Sequence, residues 1–364
     1  MKMIGRLLLV GVICGVCCCA ESRVGLQTYR GASDASAAVA VGSEMFVVAD
    51  DENNILRVYR TSGGDRPVYS CDLSEFLEID PEHPEADIEG ATRVGERIYW
   101  ITSHGRNKDG KLRLNRYRFF ATDIEREGDV VRLWPVGKPC TSLVRALVSD
   151  KVTQGLGLYE ATRLGADLSK KQREKLAPKE EGLNIEGLCA SADGKTMYIG
   201  FRNPLVEDKA SGRIRALVVP LLNAELVIKQ GDRPEFGEPI LWDYDGLGIR
   251  SMEYSAFHKA YFIIAGSINS TRKFRLYRWS GEGGDTPLLV KELSVSNMTP
   301  EALVPFEDSG ELLLLSDDGT LPVKIAGPHE CIDEDEYDSK SGTCENKYLR
   351  DPNKKTFRAI WLRP

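Results

Sequence analysis

The sequence predicts an all-β fold, a β-propeller of five blades with a small helical insertion, and leaves six blades as the alternative. Three observations support this prediction. A short unit, in which a polar residue with small neighbours leads into an apolar strand, recurs five times along the 364 residues. Strand candidates with period-two alternation follow these copies. The chain also contains 34 Gly and 17 Pro, which suits many short strands and turns better than long helices.

The recurring unit corresponds to the innermost strand of each predicted blade and the strand that follows it. A propeller blade has four antiparallel strands, and the blades surround a channel. The copies begin at Ser33, Asp87, Asn184, Gly248 and Thr299, and their apolar strands are Met45–Asp51, Ile98–His104, Met197–Asn203, Tyr261–Gly266 and Leu312–Asp318. The equivalent positions of the five copies are Ser36, Glu89, Glu186, Arg250 and Glu301.

Further strands complete the blades and close the ring. The candidates are Leu56–Tyr59, Arg116–Phe120, Ile214–Val219 and Phe274–Trp279 for third strands, with Val130–Trp134, Pro239–Tyr244 and Leu288–Glu292 for fourth strands. We expect Leu26–Tyr29 and Phe357–Leu362 to share one blade, because closure removes exposed sheet edges. The long step before Glu186 contains a helical pattern, Leu164–Leu176, which we interpret as an insertion at about residues 141–181. Its charged run is expected to be a solvated helix face.

The N-terminus predicts export. Residues 1–20 have the pattern of a signal peptide, with Lys2 and Arg6 before the apolar run Leu7–Val16 and a small-residue cleavage site ending at Ala20. That run is too short to span a bilayer, so we expect no transmembrane segment. We expect a periplasmic or secreted protein, most simply a monomer, in which residues 21–364 form one propeller domain. Lipidation at an N-terminal cysteine is the alternative. The net charge of −7 argues against nucleic acid as a partner.

The cysteines after residue 20 divide into a pair and three isolated residues. Cys331 and Cys344 bracket a short acidic loop, and in an oxidising compartment they are predicted to form a disulfide. A Ca²⁺-binding loop is the alternative, but Asp338 stands where the EF-hand pattern requires Gly. The isolated residues Cys71, Cys140 and Cys189 are expected to be buried thiols.

Carboxylates at equivalent positions indicate a cation site. Innermost strands line the channel, so Glu89, Glu186 and Glu301 are expected to converge on one axis and are the candidate metal ligands. Like charges raise one another's pKa, so such a cluster requires a cation, a proton or a basic partner. Oxygen ligands of this kind suit Ca²⁺, the candidate cofactor. Arg250, at the fourth equivalent position, offers the alternative of an internal counter-ion.

Polar side chains after the second strands add candidates for catalysis and binding. His104, Glu186 and Arg202 are the candidate catalytic residues, because a carboxylate with a His and an Arg can activate water and hold an anionic ester. The candidate ligand-binding residues are Asp50, Asp51, Arg106, Asn107, Asn203, Arg250, Asp317 and Asp318. The alternative for each is structural, since acidic and Asn side chains also satisfy backbone N–H groups in turns.

Several motifs carry a resemblance to a known family. They are Ala49–Asn53, Ala86–Ala91, Ile98–Gly110, Gly182–Leu188, Ile199–Pro204 and Leu315–Gly319. Taken in order, they resemble the bacterial family called domain of unknown function 3616, and the resemblance runs from about Ala32 to Leu362. It implies an exported β-propeller and no established activity. The Asn184–Gly187 step is also similar to exported propellers described as phytase-like or esterase-like, whereas Arg250 departs from a symmetric ring of Glu.

Two functional hypotheses follow. One is an exported propeller that binds a small polar or anionic molecule at the channel mouth and acts as a Ca²⁺-assisted ester or phosphoester hydrolase. The other is a non-enzymatic propeller that binds a ligand or a protein. The sequence has no Gly-x-Ser-x-Gly elbow, no P-loop and no His-Glu-x-x-His motif, which argues against serine hydrolases, P-loop nucleotide-binding proteins and zinc proteases.

Overall fold

Antiparallel sheets surround one channel and form a five-bladed β-propeller, which confirms the predicted fold class. A computed structural model describes residues 25–128, 130–209, 211–269, 271–294 and 297–364. The predicted signal peptide at residues 1–20 and its cysteines lie outside these residues. Within the described part of the chain, no helix is both long and apolar enough to cross a membrane.

Each blade runs from an innermost strand at the channel to an outer strand at the rim. β1 (Gln27–Arg30) belongs to the last blade. Blade 1 contains β2 (Ala35–Val41), β3 (Met45–Asp50), β4 (Ile55–Arg60) and β5 (Tyr69–Asp72), and blade 2 contains β6 (Ile88–Val94), β7 (Arg97–Thr102), β8 (Phe119–Glu127) and β9 (Val130–Cys140). Blade 3 contains β10 (Asn184–Ala190), β11 (Met197–Asn203), β12 (Val206–Asp208), β13 (Arg213–Leu221) and β14 (Ile240–Trp242). Blade 4 contains β15 (Gly248–Ser255), β16 (Ala260–Gly266), β17 (Phe274–Trp279) and β18 (Leu288–Glu292).

Blade 5 closes the ring with strands from both ends of the chain. β19 (Pro300–Pro305) and β20 (Leu312–Ser316) are followed by β23 (Thr356–Leu362), which pairs with β1 at the rim. Tyr29 of β1 lies opposite Phe357 of β23, and their rings stack with centroids 5.2 Å apart. The predicted sharing of one blade by the two termini is therefore confirmed. The innermost strands β2, β6, β10, β15 and β19 contact one another in this order, and β19 returns to β2.

Apolar side chains between neighbouring blades form the core. Between blades 1 and 2, for example, Val47, Leu56, Ile88, Trp100 and Phe120 are fully buried in one cluster. Full burial of side chains of this size stabilises a fold by roughly 1.5–3 kcal/mol each. This packing fixes the innermost strands, and with them the side chains that face the channel.

The long step between blades 2 and 3 is an insertion and not a sixth blade. It contains α1 (Leu143–Ser149), α2 (Leu158–Thr162) and α3 (Lys170–Glu174), while α4 (Ala224–Gln230) connects β13 to β14. The predicted helix Leu164–Leu176 is shorter than expected, because the chain turns at Gly165 and the helix begins only after Ser169. The side chains of Ser169 and Gln172 form a capping box there.

A second insertion lies between β20 and β23. It contains the hairpin of β21 (Pro322–Lys324) and β22 (Thr343–Glu345), and short 3-10 turns lie at Pro328–Glu330, Glu334–Glu336, Asn346–Tyr348 and Pro352–Lys354, with another at Leu114–Arg116 in blade 2. Cys331 and Cys344 are free thiols buried beside Leu349. Burial and a hydrogen bond with Cys331 raise the pKa of Cys344 to about 12. The two thiols are thus neighbours, and their disulfide stays a prediction.

The three isolated cysteines differ in burial. Cys189, on innermost strand β10, is fully buried as expected. The same expectation is wrong for Cys71 and Cys140, which are half-buried because they lie on the outer strands β5 and β9.

Candidate functional site

A β-bulge interrupts every innermost strand at the same place. The pairing register shifts there, and the residue at the shift is Ser36, Glu89, Glu186, Arg250 or Glu301. A bulge leaves one residue outside the ladder and re-aims its side chain. The equivalence of these positions in the sequence is therefore also an equivalence of backbone structure.

Four of the five bulge residues line a cavity of about 350 Å³, here called the upper mouth, at the end of the channel where the innermost strands begin. They are Glu89, Glu186, Arg250 and Glu301. Ser36 instead donates a hydrogen bond to the backbone carbonyl of Ile88 at 2.6 Å. The glycines after two of the bulges let neighbouring strands approach. A Cβ atom at Gly90 would lie 2.8 Å from Ile101 Cγ2, and one at Gly187 would lie 2.9 Å from Ile249 Cγ2.

The first group of charges in the upper mouth is an ion-pair network. Glu89, Glu186 and Glu301 place carboxylate oxygens within 4.8 Å of one another. Arg250 lies between two of them, with Nε 3.0 Å from Glu186 Oε2 and Nη2 bonded to Glu301 Oε1. Arg202 Nη1 lies 2.8 Å from Glu186 Oε1. Two of the three predicted metal ligands are therefore already paired with arginine.

Glu89 is the exception in this network. No hydrogen bond or ion pair within the described residues reaches its carboxylate, although the side chain is buried. Burial raises the pKa of Glu89 well above its usual range, and the charges of Glu186 and Asp87 add to the shift. Burial also raises the pKa of Glu301 to about 8, even though Arg250 opposes the shift. The network thus holds two carboxyl groups whose pKa values are raised, and that of Glu301 lies near neutral pH.

A second group of carboxylates adjoins Glu89 on the side of blades 1 and 2. Asp51, Asp87 and Glu89 place oxygens within 4.8 Å of one another, and so do Asp34, Asp50 and Asp51. Burial raises the pKa of Asp51 well above its usual range, with contributions from neighbouring carboxylates that include Glu89. Its Oδ1 atom is buried and has no hydrogen-bond partner among the described residues.

The cations beside this second group are few. Arg116 Nη1 donates to Asp87 Oδ2 at 2.9 Å, and Arg116 also pairs with Glu85. Lys347 Nζ lies 2.9 Å from Glu52 Oε1. Asp51 and Glu89 have no cation in contact within the described chain, so either a proton or a bound cation has to compensate their charge.

Asp34 and Asp317 form a pair of carboxyl groups at the same side. The two residues lie opposite each other in an isolated antiparallel bridge, and a hydrogen bond between their carboxyl groups would require a proton. Burial raises the pKa of Asp34 well above its usual range. Although burial alone would also raise the pKa of Asp317, hydrogen bonds from Asp34 and from the Gly319 N–H lower it. The proton between them is therefore held preferentially by Asp34.

The donor set fits a hard cation. Ca²⁺ binds 6–8 oxygens at about 2.3–2.6 Å, so two oxygens on one ion are at most about 5 Å apart. The spacing of Asp51, Asp87 and Glu89 meets this limit. Lys179 and Arg272 are exposed at the rim of the upper mouth and have no pairing partner among the described residues. They present positive charge to anything that enters.

The structure does not bring His104 to the upper mouth, contrary to the expected position, and its catalytic role stays a prediction. The imidazole is fully buried and does not line the cavity. Its Nδ1 donates to the carbonyl of Thr102 at 2.8 Å, and its ring packs against Tyr117 with centroids 5.6 Å apart. Burial lowers the pKa of His104 to about 4, so the ring is neutral at physiological pH. Such a residue holds its loop in place.

Other predicted binding residues have structural contacts instead. Arg106 donates to the carbonyls of Gly110 and Thr162, Asn107 caps its own loop, and Asn203 donates to the carbonyl of Gly182. Asp318 pairs with Arg358 of β23, and Asp50 accepts from the N–H groups of Ser33 and Glu52. These contacts favour the alternative of a structural role for these residues. Asp50 also belongs to the group of Asp34, Asp50 and Asp51, whose carboxylate oxygens lie within 4.8 Å of one another.

Several residues that line the upper mouth were not among the candidates predicted from the sequence. Asp34 and Asp87 stand two positions before the bulge residues Ser36 and Glu89, and Asn184 stands two positions before Glu186. This constant offset was a usable signal. Arg116 and Lys347 had no such signal, because they come from a third-strand region and from the C-terminal insertion.

Comparisons with known proteins give a family and remote structural likenesses. The sequence profile described as "Protein of unknown function (DUF3616)" matches residues 34–132 and 136–311. No curated protein matches the chain. Hydrazine synthase of Kuenenia stuttgartiensis is 12% identical with a TM-score of 0.36, and the match covers 87% of this chain and 63% of that one. A Thermus thermophilus protein described as an oxidoreductase (glucose dehydrogenase) is 12% identical with a TM-score of 0.40, covering 92% and 100% of the two chains.

These structural likenesses are too remote to carry an argument about activity, whereas the profile match spans most of the chain. Its residues include the bulge positions of all five blades, from Ser36 to Glu301. The chain belongs to the DUF3616 family, whose function is unknown.

Proposed function

We propose that the upper mouth binds Ca²⁺ and that the bound cation, together with Lys179 and Arg272, holds a small anionic ligand. The observation that carries the proposal is the group of Asp51, Asp87 and Glu89. Their oxygens lie within 4.8 Å of one another, while Asp51 Oδ1 is buried without a partner and Glu89 has no donor within the described chain. Unpaired buried carboxylates are unfavourable unless a cation or a proton compensates them.

This group suits a cation better than the three glutamates named from the sequence. Glu186 already contacts Arg202 and Arg250, and Glu301 contacts Arg250. A cation among Glu89, Glu186 and Glu301 would face these guanidinium groups at short range. At Asp51, Asp87 and Glu89 the nearest paired cation is Arg116, which contacts Asp87 alone of the three. Electrostatics therefore favours the side of blades 1 and 2.

Three carboxylates leave part of a Ca²⁺ coordination shell to be filled by other oxygens. An anionic ligand can supply them, and the exposed side chains of Lys179 and Arg272 then add ion pairs from the rim. A neutral ligand would gain less from these two cations, because it could accept hydrogen bonds from them but form no ion pair. The arrangement is thus suited to phosphate or carboxylate groups.

Isothermal titration calorimetry with CaCl₂ tests cation binding. We expect E89Q, which keeps the shape of the side chain and removes its charge, to lower Ca²⁺ affinity by at least about tenfold. E125Q is the matched control, because Glu125 is an exposed carboxylate of the same blade. Equal Ca²⁺ affinity in E89Q and the unaltered protein would contradict the proposal.

Hydrolysis is the reaction that such a site supports. When bound, Ca²⁺ would polarise an ester oxygen and a water molecule. Glu301 favours this chemistry, because its pKa of about 8 allows it to accept or release a proton near neutral pH. p-Nitrophenyl phosphate and p-nitrophenyl acetate, assayed with Ca²⁺ and with a chelator, separate the two hypotheses. Ca²⁺-dependent turnover that E301Q abolishes supports a hydrolase, whereas Ca²⁺ binding without turnover supports a non-enzymatic binding module.

A further inference from the structure

A second cavity lies at the opposite end of the channel. The C-terminal ends of all five innermost strands enclose about 300 Å³, and the residues that line this lower mouth include Val39, Thr92, Ala190, Glu253 and Phe306. Ligand pockets in proteins begin at roughly this size. The lower mouth therefore has room for a small molecule, on the axis but apart from the carboxylates of the upper mouth.

Glu253 is the unusual residue of the lower mouth. It lies on β15 and is only 8% exposed. No hydrogen bond or ion pair within the described residues reaches its carboxyl group. Burial raises its pKa well above the usual range, and no neighbouring charge contributes to the shift. Buried carboxyl groups are normally hydrogen-bonded or paired, so this one lacks the partner that a ligand could provide.

The charged side chains of Arg93 and Asp193, which also line the lower mouth, already have hydrogen-bond or ion-pair partners. Arg93 donates to two backbone carbonyls and pairs with Glu307 at 3.3 Å. Asp193 accepts from the Ser191 hydroxyl and lies 3.6 Å from Lys195. An incoming cation would therefore meet one free carboxyl group in this part of the structure, that of Glu253.

We propose that the lower mouth binds a small organic cation whose ammonium group donates hydrogen bonds to Glu253. The remaining wall supports an apolar body for this ligand, because Tyr254, Pro305 and Phe306 also line the cavity. Aromatic faces attract ammonium groups, and a charge-assisted hydrogen bond is stronger than a neutral one. A single carboxylate is a poor Ca²⁺ site, and Glu253 belongs to none of the acidic clusters with metal-ligand spacing.

The test compares n-butylammonium with n-butanol, its neutral analogue, by calorimetry and saturation-transfer NMR at pH 7.5. We expect n-butylammonium to bind at least about tenfold more tightly than n-butanol, since the ion pair adds about 1.4 kcal/mol or more. In E253Q the preference is expected to disappear. E44Q is the control, because Glu44 is exposed in the turn after β2, at the same end of the propeller, and does not line the cavity.

The comparison of the two ligands on the unaltered protein does not depend on how well a variant folds. Equal binding of amine and alcohol, or no binding of either, overturns the proposal, and so does an unchanged preference in E253Q. A Ca²⁺ titration of E253Q is expected to match that of the unaltered protein, because the upper mouth lies at the other end of the innermost strands. Failure of Ca²⁺ binding at the upper mouth would leave the amine result unaffected, so the two proposals fail separately.

Discussion

Replacing Arg250 with Met is expected to destabilise the propeller by about 3–5 kcal/mol at pH 7. Arg250 is buried and contacts both Glu186 and Glu301. Without the guanidinium, Glu186 keeps only Arg202 as a charged partner and Glu301 keeps none in contact within the described chain. Removal of one partner from a buried ion pair is destabilising by about this amount, because the buried carboxyl groups lose their compensating cation.

The expected change in melting temperature follows from chain length. With an unfolding entropy of about 2.1 cal/mol/K per residue, a chain of 364 residues should lose about 4–7 °C in Tm. Differential scanning calorimetry at pH 7 measures this loss. R202M is an informative comparison, because Arg202 contacts Glu186 but not Glu301.

The pH dependence of the Tm deficit in R250M distinguishes the contribution of Glu301 from that of Glu186. The pKa of Glu301 is raised to about 8 in the folded protein, against about 4.3 in an unfolded chain, so stability falls with rising pH until about pH 8. Loss of Arg250 raises this folded-state pKa further, so the decline continues above pH 8 in R250M. The Tm deficit of R250M should therefore be larger at pH 9 than at pH 7, and the additional deficit should vanish in R250M/E301Q. A Tm loss below about 1 °C at pH 7, or a deficit that shrinks toward pH 9, would refute the reasoning.

Three further predictions concern protons, thiols and His104. Because the pKa values of the proposed ligands Asp51 and Glu89 are raised, Ca²⁺ binding should release protons and should tighten as the pH rises. A binding enthalpy that is the same in buffers of different ionisation enthalpy would contradict this. Oxidation should join Cys331 to Cys344 and stabilise the protein by about 3 kcal/mol. The Tm difference with and without dithiothreitol measures this effect. The C71S variant should keep the difference, and the C344S variant should lose it. In H104N, asparagine tolerates the positive φ of 52° at this position. The variant should lose about 1–3 kcal/mol of stability and keep its Ca²⁺ affinity. Loss of ester turnover at an unchanged Tm would instead support a catalytic role for His104.

The sequence predicted the blades well because each copy repeats a period-two strand next to a polar residue. The fourth strand of blade 4 is predicted with its correct bounds, Leu288–Glu292, and the closing strands β1 and β23 lie where expected. The strand pattern cannot show which side of a loop is buried. His104 therefore appeared to be a polar loop residue, although Tyr117 and the backbone of Thr102 enclose it.

The ion pairs of the site were harder to predict from the sequence than the residues that form it. Equivalent positions identify Glu89, Glu186 and Glu301, but the pairing of charges depends on the reach of arginine side chains across blades. Arg250 reaches Glu186 in the neighbouring blade 3 and Glu301 in blade 5. The position of Arg250 in the repeat indicated an internal counter-ion, which the structure shows, but it did not indicate which two glutamates Arg250 contacts. The two-residue offset of Asp34 and Asp87 from the bulges was also open to detection.

The uneven distribution of paired and unpaired charges in the upper mouth follows from the identity of the residue at each bulge. In blades 3, 4 and 5, Arg250 and Arg202 neutralise Glu186 and Glu301, so this half of the ring holds itself together without a ligand. In blade 1 the small Ser36 donates to a backbone carbonyl and presents no charge, which leaves Asp51 and Glu89 facing each other unpaired. A cation bound there would lie off the axis, toward blades 1 and 2. The asymmetry of the bulge residues therefore explains why the charges of one half of the mouth are paired internally, and why we propose the cation at the other half.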